Sequence, residues 1–367
     1  MSFPSSRRAW RAALLVPLGI VAACDIPSEA PILQQTWVVP SDSVSVGVSE
    51  ILPAGIALNG AGTAFQVTTP SPNASTTLAT LCGQPACQSG ATVTAPVPAF
   101  TSPAGALQAS ITLPATVSSV TVTGGQLSLA VTNNLGFDPL RPNAAGAPYG
   151  QLSVTISANG GALSATTTFS GGTRALPTGQ LSTLTVPMPT GTYNGAITVS
   201  VALDVPAGDA APLSGSNGFS VAASLVGLTV SQATVAVNNE TIDTTPSDFD
   251  LSGVDFADQV ESGGLQLTVL NPFTATAALT MTITAPAQGG QGPVSIVKPV
   301  NVPAAPATQL TVALTQAELR QILGKSGVSI AVAGTATGTG AGNSVAVTPT
   351  QRLTVRTSVR VVLNVGA

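Results

Sequence analysis

The chain has 367 residues, 44% of them hydrophobic and only 7% charged, with no histidine and a net charge of −4. So much apolar sequence, with Val, Leu and Ile recurring periodically, argues for a packed core and against disorder. Without histidine the chain lacks the commonest general base, the commonest zinc ligand and the usual partner of a Ser or Cys nucleophile. An acidic balance with few aromatics argues against a nucleic-acid partner.

Residues 1–23 read as an export signal. Arg7, Arg8 and Arg11 form a positive start, and Ala12 to Ala23 is an apolar run too short for an ordinary spanning helix. The run closes on Val21-Ala22-Ala23-Cys24. Small residues ahead of a cysteine resemble the lipobox of bacterial lipoproteins. The resemblance implies cleavage before Cys24, acyl chains on Cys24, and a place in the cell envelope, at the outer membrane or the periplasmic face of the inner membrane. A plain secretory signal with an incidental cysteine is the other reading. Ser6-Arg7-Arg8-Ala9-Trp10 also resembles a twin-arginine motif, so both export routes fit. Residues 24–36, rich in proline and acids at their start, read as a tether.

Residues 37–107 read as an N-terminal β segment. It holds the remaining cysteines, Cys82 and Cys87. A C-x4-C pair in an exported chain predicts one local disulfide, and its short loop gives it about 2 kcal/mol by chain entropy. A metal site would need two more ligands.

Beyond it, alternation dominates. Leu127-x-Leu129-x-Val131, Leu152-x-Val154-x-Ile156, Leu310-x-Val312-x-Leu314 and Val328-x-Ile330-x-Val332 each predict a half-buried antiparallel strand. In the last run, Leu353, Val355, Val359, Val361 and Leu363 point one way, and Arg356, Ser358 and Arg360 the other. One helix is expected after Thr315, whose capping box with Glu318 precedes Leu319, Ile322 and Leu323 and ends at Gly324. A short turn is expected over Asp255 to Glu261.

Ile111–Asn134 lies over Phe249–Pro272 without gaps. Leu113, Val122, Gly125, Leu127, Leu129, Val131 and Asn133 match Leu251, Val260, Gly263, Leu265, Leu267, Val269 and Asn271. We read two related β domains, 108–240 and 241–367. The expected fold is all-β: tandem antiparallel β-sandwiches of Ig-like type, with one short helix in the second. The second copy runs strand, Asn271-Pro272-Phe273, strand, a proline-marked segment, helix, strand. That order resembles the LEA14/WHy type of β-sandwich, a family linked to stress protection rather than catalysis. The first copy departs from it, with Asn133-Asn134 at the turn and PMPTGTYNG in place of the helix.

Seven of the 15 acids fall between Glu240 and Glu261. Asp248-x-Asp250-x-Ser252 copies the first half of a calcium loop, but Gln259 stands where the bidentate Glu belongs. A solvated interdomain linker is the plainer reading, so no cofactor is expected and Ca2+ is the one candidate. Arg352, Arg356 and Arg360 sit four apart, a basic stripe that would span about 27 Å on a strand. Anionic headgroups would suit it; an edge strand made soluble by charge would look the same.

Catalysis has little support. A Ser nucleophile needs an activating base, and Lys298 and Lys325 are the only lysines. An outer-membrane barrel would need aromatic girdles. The chain therefore reads as no enzyme but a lipid-tethered structural or interaction module. Its partners would be the membrane, through the N-terminal lipid, and an envelope protein. The alternative is a carrier of an apolar or lipid ligand, and a cavity separates the two: several hundred cubic ångströms for a carrier, a filled interior for a module.

Overall fold

The computed structural model describes residues 33–365, apart from residues 245, 254–256, 289 and 291. The export signal, Cys24 and Asp255 lie outside the described residues. The chain opens with β1 (Leu33–Gly47), β2 (Ile56–Leu58), β3 (Phe65–Val67), β4 (Asn73–Thr77), α1 (Leu78–Cys82), β5 (Val93–Pro96) and β6 (Phe100–Thr101). The first repeat supplies β7 (Leu107–Ile111), β8 (Val117–Asn133), β9 (Gln151–Ala158), β10 (Leu163–Ser170), β11 (Leu181–Pro187), β12 (Gly191–Asn194), β13 (Ile197–Val205), β14 (Ala210–Leu213) and β15 (Gly218–Ala236). The second supplies β16 (Asn238–Asp243), β17 (Ser247–Phe249), β18 (Val260–Leu270), β19 (Ala275–Ala285), β20 (Val294–Val302), β21 (Ala307–Leu314), α2 (Gln316–Ile322), β22 (Val328–Gly338), β23 (Ser344–Val347) and β24 (Arg352–Val365).

The fold is all-β, two antiparallel sandwiches in tandem, with the expected short helix α2 in the second. The sheets follow from alternation. Leu127, Leu129 and Val131 are buried on one face of β8, as are Leu265, Leu267 and Val269 on β18. Each buried side chain contributes about 1.5–3 kcal/mol of apolar burial.

The repeat is visible in the strand order. One sheet of the first sandwich runs β11-β8-β15, and its counterpart in the second runs β21-β18-β24. The facing sheets run β10-β9-β13 with β7 on β13, and β20-β19-β22 with β17 on β22. The matched glycines share the close passage of the neighbouring strand, and Gly125 also takes a φ of +138° that L side chains rarely adopt. A Cβ on Gly125 would lie 2.9 Å from Leu228 Cα, and one on Gly263 would lie 2.4 Å from the Arg360 carbonyl.

The matched asparagines make the same bonds. Asn133 and Asn271 are 1% and 3% exposed. Asn271 Nδ2 donates to the Ala275 and Pro303 carbonyls at 2.9 and 3.0 Å, and its Oδ1 accepts from the Phe273 amide at 3.0 Å. Asn133 Nδ2 donates to the Phe137 and Leu176 carbonyls, and its Oδ1 accepts from the Leu135 amide at 3.0 Å.

Helix α2 starts on the expected capping box: Thr315 Oγ1 accepts from the Glu318 amide, and the Glu318 carboxylate accepts from the Thr315 amide. In the first sandwich β12 takes its place and buries Tyr193 completely. The phenol donates to the Pro189 carbonyl at 2.6 Å, and burial pushes its pKa up to about 12.

Three boundaries differ from the sequence reading. Residues 33–36 belong to β1 and not to the tether. Strand β1 pairs with β24 and so completes the second sandwich, while β2, β3 and β4 join the sheet of β15 in the first. The N-terminal segment thus straps both sandwiches. The expected boundary at 240/241 falls inside a strand: β16 follows β15 after the buried Val237, and β23 pairs with Ala233–Ala236.

Replacing Asn271 by Ala leaves buried carbonyl and amide groups unpaired, so it should cost about 2–4 kcal/mol. The exposed Asn301→Ala should stay within about 0.5 kcal/mol. Urea unfolding of the two variants checks the difference.

Candidate functional site

The three arginines project from the outer face of the β1-β24-β18-β21 sheet. Strand β24 is central, with β1 on one side and β18 on the other, so the stripe is not on an edge strand. Its inner face packs Leu353, Thr357, Val359, Val361 and Leu363 into the core, which turns Arg352, Arg356 and Arg360 outward and exposed. Cross-strand rows run Ser43–Arg356–Thr268–Gln309 and Val38–Arg360–Gly264–Ala313. Among the described residues none of the three arginines forms an ion pair. Val38 is 54% exposed beside Arg360, and Trp37 is 44% exposed on the same strand. Glu261 stands at the bulge at this end of β18, and Gln34 Nε2 donates to its carboxylate at 3.0 Å.

Among the described residues, the acids from 240 to 248 lie on strands rather than in a linker. Glu240 and Asp243 lie on β16 and Asp248 on β17, both paired to β22. Asp250 Oδ1 accepts from the Ser252 hydroxyl at 2.6 Å and its amide at 3.0 Å. Those two bonds, the hydroxyl first, hold its carboxyl below the usual aspartate range. Among the described residues no group of three or more acids or cysteines converges as a metal set.

Cys82, at the end of α1, is bonded to Cys87. The lysines lie around α2. Lys298 Nζ meets the Glu318 carboxylate at 2.8 Å, pinning α2 to β20. That hydrogen bond, then the Thr315 amide, holds Glu318 below the usual glutamate range. Lys325 is 5% exposed, with its Nζ 3.5 Å from the Pro286 and Gly292 carbonyls. Neither lysine is expected in an S-x-x-K arrangement, but Ser295-x-x-Lys298 has that spacing, the one of a Ser–Lys nucleophile pair. On β20 that spacing puts the two side chains on opposite faces. Ser295 is exposed, and Lys298 turns in to Glu318.

Among the described residues, the gaps seen between the sheets of the second sandwich are small. One gap, lined by Val46, Leu279, Met281, Val332 and Leu353, amounts to about 20 Å³. A neighbouring gap by Ile51, Phe273 and Ala336 is also about 20 Å³. The larger hollows lie at the surface. One of about 260 Å³ separates β1 from β16 and β17 and brings Glu50 and Asp243 to its rim. Its walls come from segments far apart in the chain, so no local pattern announces it. Another, about 610 Å³ and wide open, lies between Gly292–Ser295 and Arg320.

No family model and no curated protein matches the chain. Among solved structures, a "putative secreted protein" from Parabacteroides distasonis ATCC 8503 aligns at 12% identity and a TM-score of 0.31, over 89% of this chain and 99% of that one. A structure of infectious bursal disease virus, Gx strain, aligns at 12% identity and a TM-score of 0.21, over 92% of this chain and 74% of that one. Likenesses this distant carry no functional conclusion.

Glu318→Gln should cost about 1 kcal/mol at pH 7, through the cap and the Lys298 pair. Because the folded pKa of Glu318 is depressed, its contribution is present above the unfolded value near 4.3 and is lost as pH falls through the lower folded value. The gap in melting temperature between wild type and variant should therefore close at acid pH. Millimolar Ca2+ should leave the melting temperature unmoved; a rise that Asp250→Asn abolishes would restore the calcium reading.

Proposed function

We propose that the chain is an exported lipoprotein held at the cell envelope by acyl chains on Cys24. There its two sandwiches act as a non-enzymatic structural or interaction module. The observation that carries the module over the carrier is the second sandwich, whose inter-sheet gaps of about 20 Å³ are far below what a lipid chain needs. Helix α2, between β21 and β22, supports the likeness to LEA14/WHy-type sandwiches, whose link is to protection rather than turnover.

Mass spectrometry of the native protein's N-terminal peptide tests the anchor. The expected species begins at Cys24 with two or three acyl chains. A free thiol there, or cleavage elsewhere, overturns it. An organic extract of the same sample should contain no further apolar molecule in stoichiometric amount. Finding one would return the carrier.

A further inference from the structure

We propose that the outer face of the β1-β24-β18-β21 sheet lies on an anionic bilayer surface, held by the guanidinium groups of Arg352, Arg356 and Arg360. The proposal rests on the lipid anchor at Cys24 and adds the orientation of the anchored module.

Solubility does not account for these charges. The other sheets are kept wet by hydroxyls. On the β10-β9-β13 sheet Ser153 bonds Thr168 at 3.2 Å and Thr155 bonds Thr166 at 2.9 Å. On the β19-β22 pair Thr284 bonds Ser329 at 2.7 Å. Charge is sparse on the strands of those sheets, as Asp204 on β13, Asp243 on β16 and Lys298 on β20. Protection of an edge does not account for Arg356 and Arg360 either, because β24 is paired on both sides there. What is left is an outward face with three cations, on a sheet whose own strands carry two acids, Asp42 on β1 and Glu261 on β18, in a chain whose net charge is −4.

The place where the described chain begins selects the occupant. Strand β1 is part of this sheet and starts at Leu33. Residues 25–32 can reach at most about 28 Å at 3.3–3.6 Å per residue. The stripe itself is about 27 Å long. A protein held at Cys24 can therefore lay the whole face down. Exposed Val38, in register with Arg360 on the same face, adds apolar surface that suits the headgroup boundary. Each arginine close to an anionic surface contributes about fivefold in affinity, so three contribute roughly a hundredfold.

The test uses the full acylated protein in vesicles of phosphatidylcholine alone or mixed with phosphatidylglycerol. Phenylglyoxal labels accessible arginines, and mass spectrometry reads each site and the acyl state of Cys24 together. We expect labelling of Arg352, Arg356 and Arg360 to slow at least about fivefold in the anionic vesicles at low salt and to recover at high salt. Exposed Arg174, on the first sandwich, should label equally throughout. Arg356→Glu should return Arg352 and Arg360 to the fast rate. Acylated protein whose three arginines label alike in both vesicles overturns the proposal and leaves the anchor standing. An unacylated Cys24 overturns both. Protection that is equal in neutral vesicles and survives high salt means a protein surface covers the face, and also overturns it.

Discussion

One buried amide in each sandwich fixes the path of the chain between its sheets. Asn271 sits where the chain leaves β18 for β19 in the facing sheet. It binds the Ala275 carbonyl at the start of β19 and the Pro303 carbonyl where the chain leaves β20 to return. Two crossings are thus tied to one side chain. Asn133 does the same through Phe137, between β8 and β9, and Leu176, between β10 and β11. A buried amide costs free energy unless every donor and acceptor is met, and here the crossings supply the partners. Strand order follows, since the fourth strand must return beside the first.

The N-terminal segment builds on that frame. It adds β1 to β24 and then β4 and β3 to β15, the corresponding strands of the two repeats. One continuous segment therefore closes the same side of both sandwiches. With β16 following β15 directly and β23 hydrogen-bonded to β15, the two units share backbone hydrogen bonds in place of a linker. A force applied at the start of β1 reaches both units through ladders of backbone bonds.

What the sequence made legible is what is local in the chain. Period-two alternation marked β8, β9, β21, β22 and β24, because burial of one face leaves its trace residue by residue. The capping box marked α2, since both partners lie within four residues. The repeat aligned Asn133 with Asn271 but gave no reason for the match, because the carbonyls each binds lie up to 43 residues away. What depends on distant pairing was hidden. Nothing in Leu33–Gly47 names β24 as its partner, and alternation alone does not say whether a strand is central or an edge. The acids between 240 and 250 read as linker because low hydrophobicity and charge look alike in a loop and on an exposed strand. Ile242 and Phe249, both buried, were the signal for strands there.

The same distinction bears on the arginines. As sequence, three basic residues at every fourth position fit an edge strand, a solvated face or a binding surface equally well. The topology removes the edge. The hydroxyl-covered sheets elsewhere remove the need for charge as a solubiliser, since serine and threonine serve there without it. Long cationic side chains also carry a cost in rotamer entropy when they are fixed, and on an exposed face nothing in the fold requires fixing them. The register of the arginines against β1 on one side, and of Arg356 and Arg360 against β18 on the other, is a product of distant pairing, which no spacing in the sequence reveals.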